Sequence, residues 1–179
     1  MKGIIFTEFL EMVEEKFGYE VVDEIISKSE LKSNGIYTSV GTYAREEMMV
    51  LVDHLHLKTG IEEAVLYEVF GEYLFSSLMK SYGHMFVRIK DSFEMLQAVD
   101  QNIHLQVKML YPEAELPKFE VSQLDDNTLK MIYKSERKMA DLALGLIRGC
   151  LSYFNEKAEI SKKVLTDDCK VVEFIISKS

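Results

Sequence analysis

An α+β fold is what this sequence predicts, and three observations predict it. Apolar residues recur at helical spacing through roughly the first 110 positions, as in amphipathic helices packed on a core. Beyond Pro112 and Pro117 the pattern turns to alternation, the period of a half-buried strand. Two polar turns, Asp125-Asp126-Asn127 and Thr166-Asp167-Asp168, split the alternating stretches into two hairpins. The expected architecture is one domain over residues 1–179. A helical N-terminal subdomain runs to about residue 60, and the rest is an α/β subdomain with a four-stranded antiparallel sheet.

The elements follow in order. Residues 4–17 have apolar positions on one face, and Gly18 stops that helix. A short helix over 21–28 precedes a loop from Ser33-Asn34-Gly35 to Gly41. Thr42 is placed to cap a third helix, 43–58, with Met48, Leu51, Val52 and Leu55 inward. A fourth, 61–79, runs its stripe through Val65, Leu66, Val69, Phe70, Tyr73, Leu74 and Leu78. Gly71 inside it costs about 1 kcal/mol of helix propensity and points to close packing there. The clearest pattern is residues 91–111. Asp91 and Glu94 form a capping box, Leu96, Val99, Ile103, Val107 and Leu110 form a stripe, and Tyr111-Pro112 ends it. Strands are expected at 118–124, 128–133, 159–165 and 170–176, and a helix at 139–154.

Composition narrows the function. The chain has 30 acidic and 21 basic side chains, a net charge of −9, which argues against nucleic acid because phosphate binding needs a basic footprint. No apolar run reaches the roughly 20 residues of a membrane span. Glu8 comes too early for a secretory signal, and two cysteines make no disulfide framework, so a cytoplasmic domain is expected. Ten Met, ten Phe and nine Tyr without Trp give an adaptable interior, suited equally to a plain helical core or to one moulded around a flat apolar guest.

The usual catalytic signatures are missing: no G-x-S-x-G, no Gly-rich phosphate loop, no H-E-x-x-H and no C-x-x-C. Cys150 reads as core and Cys169 as an exposed turn residue. His54 and His56 point in different directions from one helix, and His84 sits in a surface turn. His104 stands apart, because it lies beside an apolar stripe. It is either a buried histidine bonded to a backbone carbonyl or a single axial ligand to an iron porphyrin, for which one neutral imidazole suffices. Tyr133, Ser135 and Arg137 are two residues apart where a strand ends, so their side chains can converge as two hydroxyls and a guanidinium fork. That set suits a pair of carboxylates. Ser135 as a simple helix N-cap is the competing reading.

Together these residues resemble the haem–nitric oxide/oxygen-binding (H-NOX) family, which includes the haem domain of soluble guanylate cyclase. The likeness runs from Met1-Lys2-Gly3 through Gly18 and Val21-Val22-Asp23-Glu24. It continues over residues 103–109 and Pro117 to Tyr133-Lys134-Ser135-Glu136-Arg137, and then to residues 144–149. The resemblance implies non-covalent haem b buried between a distal helical part and a proximal part. It gives His104 as the iron ligand and Tyr133, Ser135 and Arg137 as the propionate clamp. Pro117 presses on the porphyrin, with Ile5 and Leu146 as apolar contacts.

The resemblance also places Phe9, Leu74 and Leu142 over the gas-binding face, where oxygen-binding members carry hydrogen-bond donors. None of the three is a donor, so NO and CO are expected as ligands and O₂ is not. NO would weaken or break the iron–His104 bond, and the change would regulate a signalling protein in trans. With the sensor fold using all 179 residues, no output domain is expected. The partner is expected to be a histidine kinase, as in bacterial two-component signalling, or a cyclic-di-GMP-metabolising enzyme. Neither an enzyme activity, nucleic acid nor membrane is expected. A haem-free small-molecule-binding or interaction module of similar layout is the alternative.

Overall fold

The computed structural model describes residues 1–179. Its N-terminal part comprises α1 (Gly3–Phe17), α2 (Tyr19–Lys28), α3 (Arg45–Thr59) and α4 (Glu63–Tyr82). The faces marked by the spacing are the buried ones. Phe6, Phe9, Met12 and Val13 of α1 meet Ile25 of α2, Met48, Leu51, Val52 and Leu55 of α3, and Leu66, Phe70 and Leu74 of α4 in a first apolar core. Val65 does not join them and is exposed. It stands one residue, or 100°, off the Leu66 face.

Thr42 does not cap α3, which starts two residues later than the sequence predicts, after Ala44. Thr42 instead pairs with Lys2 in a short antiparallel bridge. Gly3 N–H donates to the Gly41 carbonyl (2.8 Å) and Tyr43 N–H to the Met1 carbonyl (2.9 Å). This pairing with the N-terminus holds residues 41–43 extended, a constraint that local sequence does not show. Gly3 is required there, because a Cβ would run into the Thr38 carbonyl.

The stretch after α4 departs further from expectation. The cap is as predicted: the Asp91 carboxylate accepts from Glu94 N–H (2.9 Å), while the Glu94 carboxylate accepts from Lys90 N–H (2.9 Å). The helix that follows is not one regular helix. α5 (Ser92–Ala98) passes through a wide π-helical turn, Val99–Ile103, into α6 (His104–Leu110). An extra residue in one turn rotates everything after it by about 100°, so a stripe counted at 3.6 residues per turn cannot continue. Leu96 is buried, Val99, Ile103 and Val107 are half-buried, and Leu110 faces solvent. Indeed α6 buries none of its residues.

The strands β1 (Lys118–Asp125), β2 (Thr128–Lys134), β3 (Ala158–Val164) and β4 (Val171–Lys178) form an antiparallel sheet in the order β1-β2-β4-β3. Pairing of β2 with β4 runs from Thr128↔Ser177 to Lys134↔Val171. That register aligns Leu129, Met131 and Tyr133 with Val172, Phe174 and Ile176 on one face, against α7 (Ala140–Tyr153). A second core results, and α7 serves both. Ala143, Leu144, Ile147 and Cys150 belong to the second, while Leu142 and Leu146 pack on the first. Helix α4 lies against α7 at a glycine seam: a Cβ on Gly71 would come within 2.7 Å of the Gly145 Cα. The close packing predicted at Gly71 is therefore backbone against backbone.

Candidate functional site

The residues singled out by sequence gather around the junction of the two cores. His104 opens α6 directly after the π-helical turn, which turns its ring toward β1. The imidazole is 18% exposed, with its ring centre 6.0 Å from that of Phe119. Its Nδ1 lies 3.3 Å from an Asp100 carboxylate oxygen. Burial holds the ring below the ordinary histidine range, and Asp100 and the Pro117 backbone carbonyl oppose that shift. In the tautomer that gives Nδ1–H to Asp100, the ring would keep its Nε2 lone pair for a metal.

Tyr133 lies in β2, Ser135 just past its end and Arg137 in the turn that follows, not on the extended segment that the spacing assumes. Tyr133 points inward from β2, 5.6 Å from Phe119 between ring centres, and its hydroxyl accepts from Met139 N–H (3.1 Å). Ser135 N–H donates to the Lys170 carbonyl (2.9 Å), which ties the clamp to the β3–β4 hairpin. The Ser135 hydroxyl accepts from Arg137 N–H (3.1 Å). Ser135 is not an N-cap, because α7 begins at Ala140 and Met139 holds the cap position. Lys138 takes a left-handed φ of 56° to make the turn.

The Arg137 guanidinium donates to the Glu115 backbone carbonyl but is in ion-pair contact with no carboxylate. Burial pulls its pKa down, the charge of Glu115 opposes that shift, and Arg45 adds to it slightly. A half-buried cation that forms no ion pair, in a chain of net charge −9, suits an anion. The residues therefore fit haem: a neutral imidazole for iron, and a cation with two hydroxyls for carboxylates.

The apolar set belongs to the first core. Phe9 and Leu74 are fully enclosed in the first core, Phe9 edge-on to Phe70 at 5.2 Å, and Ile5, Leu142 and Leu146 pack half-buried against them. Leu142 is only three residues beyond Met139, from whose N–H the Tyr133 hydroxyl accepts, so α7, which carries Leu142 and Leu146, is tied at its start to the strand that carries Tyr133. Pro117 is half-buried just ahead of β1. Two polar residues beside the site escaped the sequence reading. Asp100 carried a legible signal, an acid four residues before a histidine on a helix. Arg45 carried none, since its contact at Glu136 lies 91 residues away along the chain.

These features make a candidate cofactor site: an imidazole, a cation near two hydroxyls, and an apolar set in the first core. The family model described as haem-NO-binding matches residues 2–162, and the chain belongs to that family, the H-NOX domains, which bind haem. The crystal structure of the Fe(II) unliganded H-NOX protein mutant A71G from K. algicida is 46% identical. It superposes with a TM-score of 0.94, covering 100% of this chain and 97% of that one. The solution structure of the IWP-051-bound H-NOX from Shewanella woodyi in the Fe(II)CO state is 40% identical. Its TM-score is 0.85, over 100% of this chain and 95% of that one. Soluble guanylate cyclase 89Da of Drosophila melanogaster is 24% identical over 151 residues. That match takes in 76% of this chain, which spans only 20% of that relative's length.

Proposed function

We propose that this chain is a haem-based nitric oxide sensor that works by regulating a separate signalling protein in the cytoplasm. The observation that carries the reading is the pairing of a half-buried His104, its pKa lowered by burial, with a half-buried Arg137 that forms no ion pair. Bound haem would supply a ferrous iron able to take a diatomic gas.

The chain's own residues do the rest. His104 would ligate iron through Nε2, oriented by Asp100, while Tyr133, Ser135 and Arg137 hold the propionates. Pro117, Ile5 and Leu146 would contact the macrocycle. Attachment is non-covalent, as in haem b, because Cys150 is buried against the Ser92 carbonyl and Cys169 lies in the β3–β4 turn. Phe9, Leu74 and Leu142 exclude water and offer no N–H or O–H, so bound O₂, which gathers negative charge, gains nothing there. NO and CO need no such donor. Helix α6 buries no residue of its own, so a loosened hold on His104 would leave it free to shift. The moved helix would signal to a histidine kinase or a cyclic-di-GMP-metabolising enzyme, with no catalysis by the domain itself.

The test is the absorption spectrum of the ferrous protein before and after NO, and in air. A Soret band that shifts with NO, with no stable oxygen complex, is the expected result. Absence of a Soret band after haem reconstitution would favour a haem-free module; a persistent oxygen complex would overturn the assignment of the distal wall.

A further inference from the structure

One more cation reaches the clamp, and it comes from the opposite half of the molecule. Arg45 stands in the first turn of α3, and its Nη1 donates to the Glu136 backbone carbonyl. Glu136 lies between Ser135 and Arg137, so this guanidinium is brought to the middle of the clamp. The Glu136 carboxylate does not neutralise it. That side chain is 81% exposed and is paired with Lys170 at 2.8 Å. The one acid on Arg45 is its solvent-facing neighbour Glu46, 3.1 Å from Nε.

The charge of Arg45 bears on both Tyr133 and Arg137, favouring an ionised phenol and disfavouring a protonated guanidinium. Arg45 and Arg137 disfavour each other's charge, Glu46 and Glu115 offset this only in part, and an anion held by both guanidiniums would relieve it. A single strut between the halves would not need two such cations.

We infer that Arg45 is a fourth member of the carboxylate clamp, binding a haem propionate together with Arg137; this rests on the haem reading above. The geometry gives that contact a consequence. Tyr133, Ser135 and Arg137 belong to the sheet side and Arg45 to the N-terminal helices, so a propionate held by all four bridges the two cores. The propionates then serve as a cross-link as well as an anchor.

The experiment compares loss of haem with loss of haem dimethyl ester, whose carboxylates are masked, from the full chain to excess apomyoglobin. Arg45→Gln, which keeps a donor for the Glu136 carbonyl, is expected to release haem about tenfold faster than the unsubstituted chain. It should leave release of the ester within about twofold, and Arg45→Lys should fall between. The propionate bending band in the resonance Raman spectrum should shift in Arg45→Gln and in Arg137→Gln, and not in the surface control Arg88→Gln.

Equal acceleration for both porphyrins, no acceleration for haem, or an unshifted propionate band in Arg45→Gln would each overturn the inference and leave Arg45 a structural strut. Failure of the unsubstituted chain to take up haem would overturn the haem reading as well. A haem-loaded chain that depends on His104 but shows no propionate effect at Arg45 overturns this inference alone.

Discussion

Tyr133 shows how one side chain can serve both fold and site. Its hydroxyl is the partner of Met139 N–H at the start of α7, in a buried place. Tyr133→Phe leaves that N–H without a partner, which costs about 1–2 kcal/mol. For a chain of this size the melting temperature should fall by about 2–8 °C in a calorimetric scan. The two cysteines differ by environment alone. Burial pushes the Cys150 thiol far up, while Cys169 is exposed at a turn. Iodoacetamide on the native protein should therefore label Cys169 and spare Cys150, as peptide mass spectrometry would show; labelling of Cys150 at a comparable rate would contradict the enclosed core around it. On the proposed reading, His104→Gly should lose the axial imidazole, and added imidazole should restore the ferrous spectrum.

At the scale of elements, the α4–α7 seam and the α2–α3 pair behave differently under change. A Cβ on Gly145 would meet the Glu68 backbone carbonyl, and no rotamer can relieve a backbone clash. Gly145→Ala should therefore part the helices and cost about 1–3 kcal/mol in a urea melt, despite the better helix propensity of alanine. The α2–α3 contact is electrostatic at its edge. Hydrogen bonds from Lys28 and Lys58 hold the Glu24 carboxyl down at about 2, below its ordinary 4.5. A group depressed on folding stabilises fully above its unfolded value and loses that effect as pH falls through the folded one. Glu24→Gln should thus lower the melting temperature slightly near pH 7 and flatten its pH dependence between about pH 4.5 and 2, so that the two proteins converge at the acid end. Helix α6 is the outlier among elements. Its end is held from outside, by Lys2, whose Nζ lies 4.0 Å over the Tyr111 ring and donates to the Val40 carbonyl at 2.7 Å.

At the scale of the whole molecule, two apolar cores share α7, and the site lies where they meet. Hydrogen exchange should reflect this. In the haem-free protein, amides of α6 should exchange far faster than those of α7, and haem should slow α6 in particular. Equal protection of both helices without haem would contradict the exposed setting of α6. Most of this plan was legible beforehand. The alternation in β2 and β4, the hairpin turns and the inward faces of α1 and α3 are short-range patterns, repeated every two or 3.6 residues. His104, Tyr133, Ser135 and Arg137 stood out for another reason, as a helix histidine paired with Tyr-x-Ser-x-Arg further along the chain, and their role belongs to the proposed function.

What escaped was long-range or irregular. The pairing of Lys2 with Thr42 overrode a local cap, and the π-helical turn broke a stripe that the count of apolar residues had carried on to Leu110. By itself the sequence determined the order of elements, the two buried faces of each half and which side chains could serve iron and carboxylate, because these depend on periodicity and residue chemistry. Only the tertiary structure decided that α6 buries nothing, that Arg137 forms no ion pair and that Arg45 arrives from the other half. Those depend on which distant segments exclude water from one another, and no local pattern encodes that.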